Sequence, residues 1–133
     1  MTINPIAKKL GLKPGLRALI IAAPAGYLDL LAPLPQGVTV TATKNGLYPF
    51  VQLFATNLSQ VIKSGPEILK HAAPGALVWI AYPKKTSGIQ SDLSRDVINE
   101  ALSETRWRPV SIIAINEMWS ALRFRPVEDV KPR

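Results

Sequence analysis

The stretch Tyr82–Asp96, YPKKTSGIQSDLSRD, holds the densest cluster of ammonium and hydroxyl groups in the chain. Lys84, Lys85, Thr86 and Ser87 follow the apolar run ALVWIAY almost directly and precede an amphipathic pattern. Ammonium and hydroxyl groups together satisfy the oxygens of a phosphate or a carboxylate. A helix beginning at Ser91 or Asp92 would add backbone N–H donors that attract anions. Asp92 and Asp96 compete for that role. Gly88 follows the lysines rather than preceding them, so the segment is not a Walker loop. The plainer use of the same residues is a solvated loop whose Ser and Asp cap a helix.

Other chemistries are sparsely furnished. The sequence has no cysteine and a single histidine, His71, which excludes thiolate chemistry and leaves no set of transition-metal ligands. His71 falls late in a helical pattern, where a cationic ring complements the helix C-terminus. Asp96, Glu100 and Glu104 recur every four residues, the mark of a solvated helix stripe. No carboxylate pair is spaced for acid–base work, and no serine has evident His and Asp partners or a Gly-x-Ser-x-Gly elbow. No catalytic residue, metal or cofactor is therefore expected. Trp79 sits inside an apolar run, Trp107 between Arg106 and Arg108, and Trp119 near Arg123 and Arg125. The last group reads either as core packing or as a stacking platform for a base.

These residues must be positioned by a chain of 133 residues with net charge +7. Residues 1–88 hold nine basic and two acidic residues, and residues 89–133 hold seven of each. The whole excess lies in the first two thirds, which suits an acidic ligand or partner, or simple solubility. No apolar run approaches the ~20 residues of a membrane span, and the first residues lack the pattern of a signal peptide. The expectation is a cytoplasmic protein with no membrane segment.

Asn4-Pro5 opens a short helix that Gly11 stops. LRALIIAA (Leu16–Ala23) reads as a strand buried on both faces. Pro24–Gly26 breaks it, and YLDLLAPL gives a short helix. GVTVTAT (Gly37–Thr43) and FVQLFA (Phe50–Ala55) are further strands. Asn45-Gly46 between them signals a hairpin, whereas the pattern downstream favours a parallel crossover, and both readings stand. Asn57 or Ser59 caps a helix through about Ala73, with a kink or split at Gly65-Pro66. Pro74-Gly75 turns the chain into ALVWIAY, and a helix capped by Ser91 or Asp92 follows the lysine loop. VSIIAI (Val110–Ile115) and MWSALRFR (Met118–Arg125) form a terminal hairpin. Met118, Ser120, Leu122 and Phe124 fall on one of its sides, and Trp119, Ala121, Arg123 and Arg125 on the other.

Strand–helix alternation with apolar strands predicts an α/β fold. It is a single three-layer domain over residues 1–126, with a mixed, mainly parallel sheet of about six strands ending in an antiparallel hairpin. Residues 127–133 read as a flexible tail. Ligands in such sheets bind at the C-terminal edge near a switch in strand order. Lys84, Lys85, Thr86, Ser87 and Gly26 all follow strand ends there.

Three segments, KKLGLKPG, LVWIAYPKKTSGIQSDL and NEMWSALRF, together resemble a family of short bacterial proteins catalogued as a domain of unknown function. Its members carry similar LG-x-K/R-PG, PK-x-x-SG-x-x-T/S-DL and WS-A/G-L elements. The resemblance spans roughly Ile6 to Phe124 and implies relatives rather than an activity. The order of elements is also similar to a shortened class I methyltransferase, a Rossmann-like fold. That likeness implies S-adenosylmethionine (SAM) binding only where its motifs persist. The loop after the first strand here is AAPAGY, with one glycine at Gly26. Where an acid commonly follows the second strand stands Thr41-Ala42-Thr43-Lys44.

The leading reading is a non-enzymatic module that holds an anionic small molecule, a nucleotide or phosphate. Lys84, Lys85, Thr86 and Ser87 would contact the anion, and Gly26 would let another loop approach. One alternative is a basic protein that docks an acidic protein or nucleic acid. Nucleic acid is the less favoured partner, because most of the basic excess is remote in sequence from the tryptophans. The other alternative is a degenerate methyltransferase-like enzyme. A final strand with a free edge also suits a homodimer.

Overall fold

Arg17–Ile21, Tyr48–Phe54 and Ala72–Pro83 (β1, β3 and β4) lie side by side and point the same way, with Leu19 opposite Val51 and Val51 opposite Val78. In the computed structural model, which describes residues 4–129, they form the centre of a six-stranded sheet. Thr39–Thr41 (β2) lies parallel to β1 on one flank. Trp119–Pro126 (β6) runs antiparallel to β4, and Trp107–Ala114 (β5) antiparallel to β6. The order is β2-β1-β3-β4-β6-β5, a mixed sheet closed by an antiparallel hairpin.

The central strands are apolar on both faces because helices cover both. Leu19, Val51, Leu53, Val78, Ile80 and Leu122 face one layer, formed by Leu58–Leu69 (α3) and Arg95–Ala101 (α4) through Val61, Ile68, Ile98 and Leu102. Ala18, Ile20, Phe50, Phe54, Trp79 and Ala81 face the other, formed by Pro5–Leu10 (α1) and Tyr27–Leu31 (α2) through Ala7, Leu10, Tyr27 and Leu31. β6 alternates as its pattern requires, with Leu122 and Phe124 toward α3 and α4 and Trp119 and Ala121 toward α1 and α2.

The segment 37–55 is the parallel crossover, not the hairpin, because β1 lies between β2 and β3. β2 is only three residues long and ends opposite Leu19. The descent to Tyr48 is therefore short enough for the six intervening residues, which span up to ~20 Å when extended. Asn45-Gly46 still turns the chain, with Gly46 at φ 84°.

Three local expectations shift. Helix α3 runs unbroken through Pro66. Gly65 lets α4 approach so closely that a Cβ there would lie 2.8 Å from Leu102 Cδ2, and this packing holds the helix where propensity would break it. Pro74-Gly75 is not a turn ahead of β4 but a bulge within it, as the register moves from Tyr48–Ala72 to Phe50–Leu77. Helix α4 begins at Arg95 with Ser94 as its cap, two or three residues after the start expected from Asp92 or Ser91. Val127–Asp129 forms a 3-10 turn, and residues 130–133, the rest of the expected tail, lie outside the described residues. Among the described residues no helix is long and apolar enough to cross a membrane.

Candidate functional site

At the C-terminal end of β4 the Lys84 N–H donates to Met118 O at 2.8 Å, which ties the lysine loop to the start of β6. The chain then tightens, with Ser87 N–H on Lys84 O and Ser87 Oγ accepting from Ile89 N–H at 3.1 Å. Beyond it, Ser91 Oγ accepts from Leu93 N–H. Asp92 Oδ1 accepts from Leu58 N–H at 2.9 Å, the first residue of α3. Ser94 Oγ accepts from Val97 N–H. The caps expected at Ser91 and Asp92 thus serve the loop and α3, and the helix start moves on to Arg95.

This folding closes a cleft of about 210 Å³ on the α4 side of the rim, walled by Tyr82, Lys84, Lys85, Ser94, Arg95 and Ser120 among others. Three cationic residues line it, Lys84 and Lys85 after β4 and Arg95 at the start of α4. Among the described residues the one ion pair is Lys44 with Glu67, so Lys84, Lys85 and Arg95 have no carboxylate partner. Burial pushes the Tyr82 phenol above its ordinary value, and the Arg95 charge opposes that shift. A second hollow of about 310 Å³ lies over the end of β3, between Thr56, Asn57, Gln90, Ser91 and Asp92.

The structure brings Lys84 and Lys85 together, and adds Arg95, Tyr82 and Ser120, which the sequence reading did not single out. The signal for Arg95 was the helix start, since capping by Ser94 makes it the first residue of α4. Thr86 is exposed and outside the cleft, and the Ser87 hydroxyl is engaged in its own turn. Gly26 stands over β1, with β3 between it and β4. It has φ 83° and caps α2, with open space where a Cβ would be.

Other candidates have structural uses. His71 lies at the opposite edge, its Nδ1 2.7 Å from Gly46 O. Trp79 Nε1 donates to Leu10 O at 3.0 Å. Trp119 is 8% exposed and packs edge-on against Phe54, so it is core rather than a stacking platform. Among the described residues no group of three His, Cys, Asp or Glu is placed to hold a metal.

No family model and no curated protein matches this chain. Solved structures do match in fold. A SAM-dependent methyltransferase from Aquifex aeolicus superposes with a TM-score of 0.66 at 16% identity, covering 90% of this chain and 86% of that one. A DhpI–SAH complex gives 0.61 at 14%, covering 92% and 83%. Magnesium protoporphyrin IX methyltransferase from Synechocystis PCC 6803 with bound SAH gives 0.57 at 9%, covering 90% and 80%. The fold is thus a Rossmann-like methyltransferase fold. This likeness accords with the methyltransferase-like alternative better than with a dedicated anion-binding module, but identities this low carry the fold alone.

The residues present do not fit SAM held as the resemblance implies. β2 stops level with Leu19, short of the rim that β1 reaches at Ile21. The chain then turns down through Ala42 and Thr43 to Lys44, whose ammonium pairs with Glu67. No acid stands at the end of β2 among the described residues. The loop after β1 has one glycine, Gly26, and Ala22 at φ 61°.

Proposed function

We propose that this chain is a degenerate form of the methyltransferase fold that binds an anionic small molecule, a phosphate or phosphate ester, without methyl transfer. The observation that carries the reading is the cleft lined by Lys84, Lys85 and Arg95, none of which has a carboxylate partner among the described residues. Charge-assisted hydrogen bonds from three cations and the Ser94 and Ser120 hydroxyls suit a tetrahedral oxyanion. Binding raises the folded state's stability by mass action. Inorganic phosphate and a nucleotide should therefore raise the thermal midpoint of the protein. The shift should vanish in Lys84→Ala/Lys85→Ala and in Arg95→Ala. Absence of a shift, or one equal in the variants, contradicts the reading.

The solved neighbours favour a second reading, a methyltransferase-like enzyme. It is tested by calorimetry with SAM, where heat of binding that survives Lys84→Ala/Lys85→Ala would replace the anion reading with that one.

A further inference from the structure

The hollow beside the basic cleft differs from it in chemistry. Its wall of Thr56, Asn57, Gln90, Ser91 and Asp92 holds no cation, no aromatic ring and one carboxylate. Part of this wall is already engaged. Asn57 Oδ1 accepts from Gln60 N–H, Asp92 Oδ1 from Leu58 N–H and Ser91 Oγ from Leu93 N–H, while the Thr56 hydroxyl donates to Gln60 Oε1. Without a partner among the described residues are the second Asp92 oxygen, the Asn57 amide NH2, both ends of the Gln90 amide and the Ser91 O–H. A free carboxylate oxygen among amide and hydroxyl donors matches groups that both donate and accept, namely hydroxyls. Nothing in the wall would stack on a base.

The hollow and the cleft are neighbours on the same face of the sheet. Ala55 N–H bonds to Ala81 O, so the ends of β3 and β4 stand one strand spacing apart, about 4.8 Å. Residues 90–95 wall both spaces, Gln90 to Asp92 on one side and Leu93 to Arg95 on the other. A ligand with a phosphate in one space and hydroxyls in the other would lie across the ends of these two adjacent strands.

We propose that the ligand is a sugar phosphate, with its phosphate among Lys84, Lys85 and Arg95 and its hydroxyls on Asp92, Asn57 and Gln90. This rests on the anion reading above and names the class of molecule that site takes. Titration calorimetry of the full chain with inorganic phosphate, ribose 5-phosphate, glucose 6-phosphate and adenosine monophosphate tests it. At least one sugar phosphate should bind about tenfold or more tighter than inorganic phosphate, as one or two added charge-assisted hydrogen bonds provide. Asp92→Asn keeps an acceptor for Leu58 N–H but removes the carboxylate charge. It should erase most of that advantage while leaving phosphate affinity unchanged or higher. Gln90→Ala, at a side chain without a hydrogen bond among the described residues, should lower sugar phosphate affinity in the same direction and serves if Asp92→Asn fails to fold. Equal affinity for phosphate and both sugar phosphates overturns the inference and leaves the anion reading standing. The same holds for tighter binding of the nucleotide, or for an advantage that survives both variants. No binding of any of the four overturns both.

Discussion

Gln52 is fully buried in the central strand β3, and Tyr27, 3% exposed, donates its hydroxyl to Gln52 Oε1 at 2.9 Å. The Gln52 Nε2 is buried without a partner. Removing the hydroxyl by Tyr27→Phe leaves the whole amide unsatisfied and should cost about 1–3 kcal/mol in urea unfolding. Adding Gln52→Met to that variant removes the other partner and should restore stability to within about 1 kcal/mol. Burial also holds the Tyr27 phenol well above its ordinary value of 10.0. Below that pH both folded and unfolded tyrosines are protonated. As the pH rises past it, the unfolded chain ionises first and stability falls. The alkaline limb of the stability profile should therefore be steeper in the native protein than in Tyr27→Phe. The apolar pattern around Gln52 marked a buried strand but gave no sign of its partner, which arrives from the first residue of α2. The candidate site was legible to the same limit. Lys84 and Lys85 stand out as neighbours in sequence, whereas Arg95 and Ser120 reach the cleft from α4 and β6, and spacing along the chain does not encode that meeting.

Among the elements, those with punctuation at both ends were the most legible. Asn4 caps α1 by accepting from Ile6 and Ala7 N–H, and Gly11 ends it at φ 83°. Asn4 also reaches across to α2, its Nδ2 donating to Leu30 O and Ala32 O at 2.9 and 3.0 Å. Asn4→Asp keeps the cap and loses the crossing bonds, while Asn4→Ala loses both. The alanine variant should be destabilised by about 1–2 kcal/mol and the aspartate variant by less, measured by thermal or urea unfolding. Where local signals competed, tertiary packing decided. Asn45-Gly46 has the chemistry of a hairpin turn, but β1 already occupies the place between the two strands it would join. Pro66 has the chemistry of a break, but Gly65 seats α3 against Leu102 and the helix continues. Neither outcome is visible without the neighbouring element.

For the whole molecule, the parallel core, its two helical layers and the closing hairpin followed from the order of apolar runs. The distinction between a complete and a shortened C-terminal rim of the sheet did not, because it depends on β2 ending beside Leu19 rather than on its composition. The sheet's two edges are unequal, with three residues in β2 and eight in β5. Pro109 and the register shift before Ser111 blunt the first half of β5. Val110, at that shift, is 37% exposed, and Ile112 in the second half is 48% exposed. Reversible self-association through this edge should appear in sedimentation velocity at high protein concentration. Ile112→Lys should keep the protein monomeric without lowering its thermal midpoint, since the side chain is half exposed and an edge lysine opposes pairing.

β6 follows β5 in sequence and yet lies between β4 and β5. β5 therefore has no strand to pair with until β6 is in place, because its one partner among the described residues follows the Asn116 turn. Without Trp119–Pro126 the β4 flank would be an unpaired edge, the feature through which chains most readily capture one another. β6 is thus a keystone, since its loss would free two strand edges at once, those of β4 and β5.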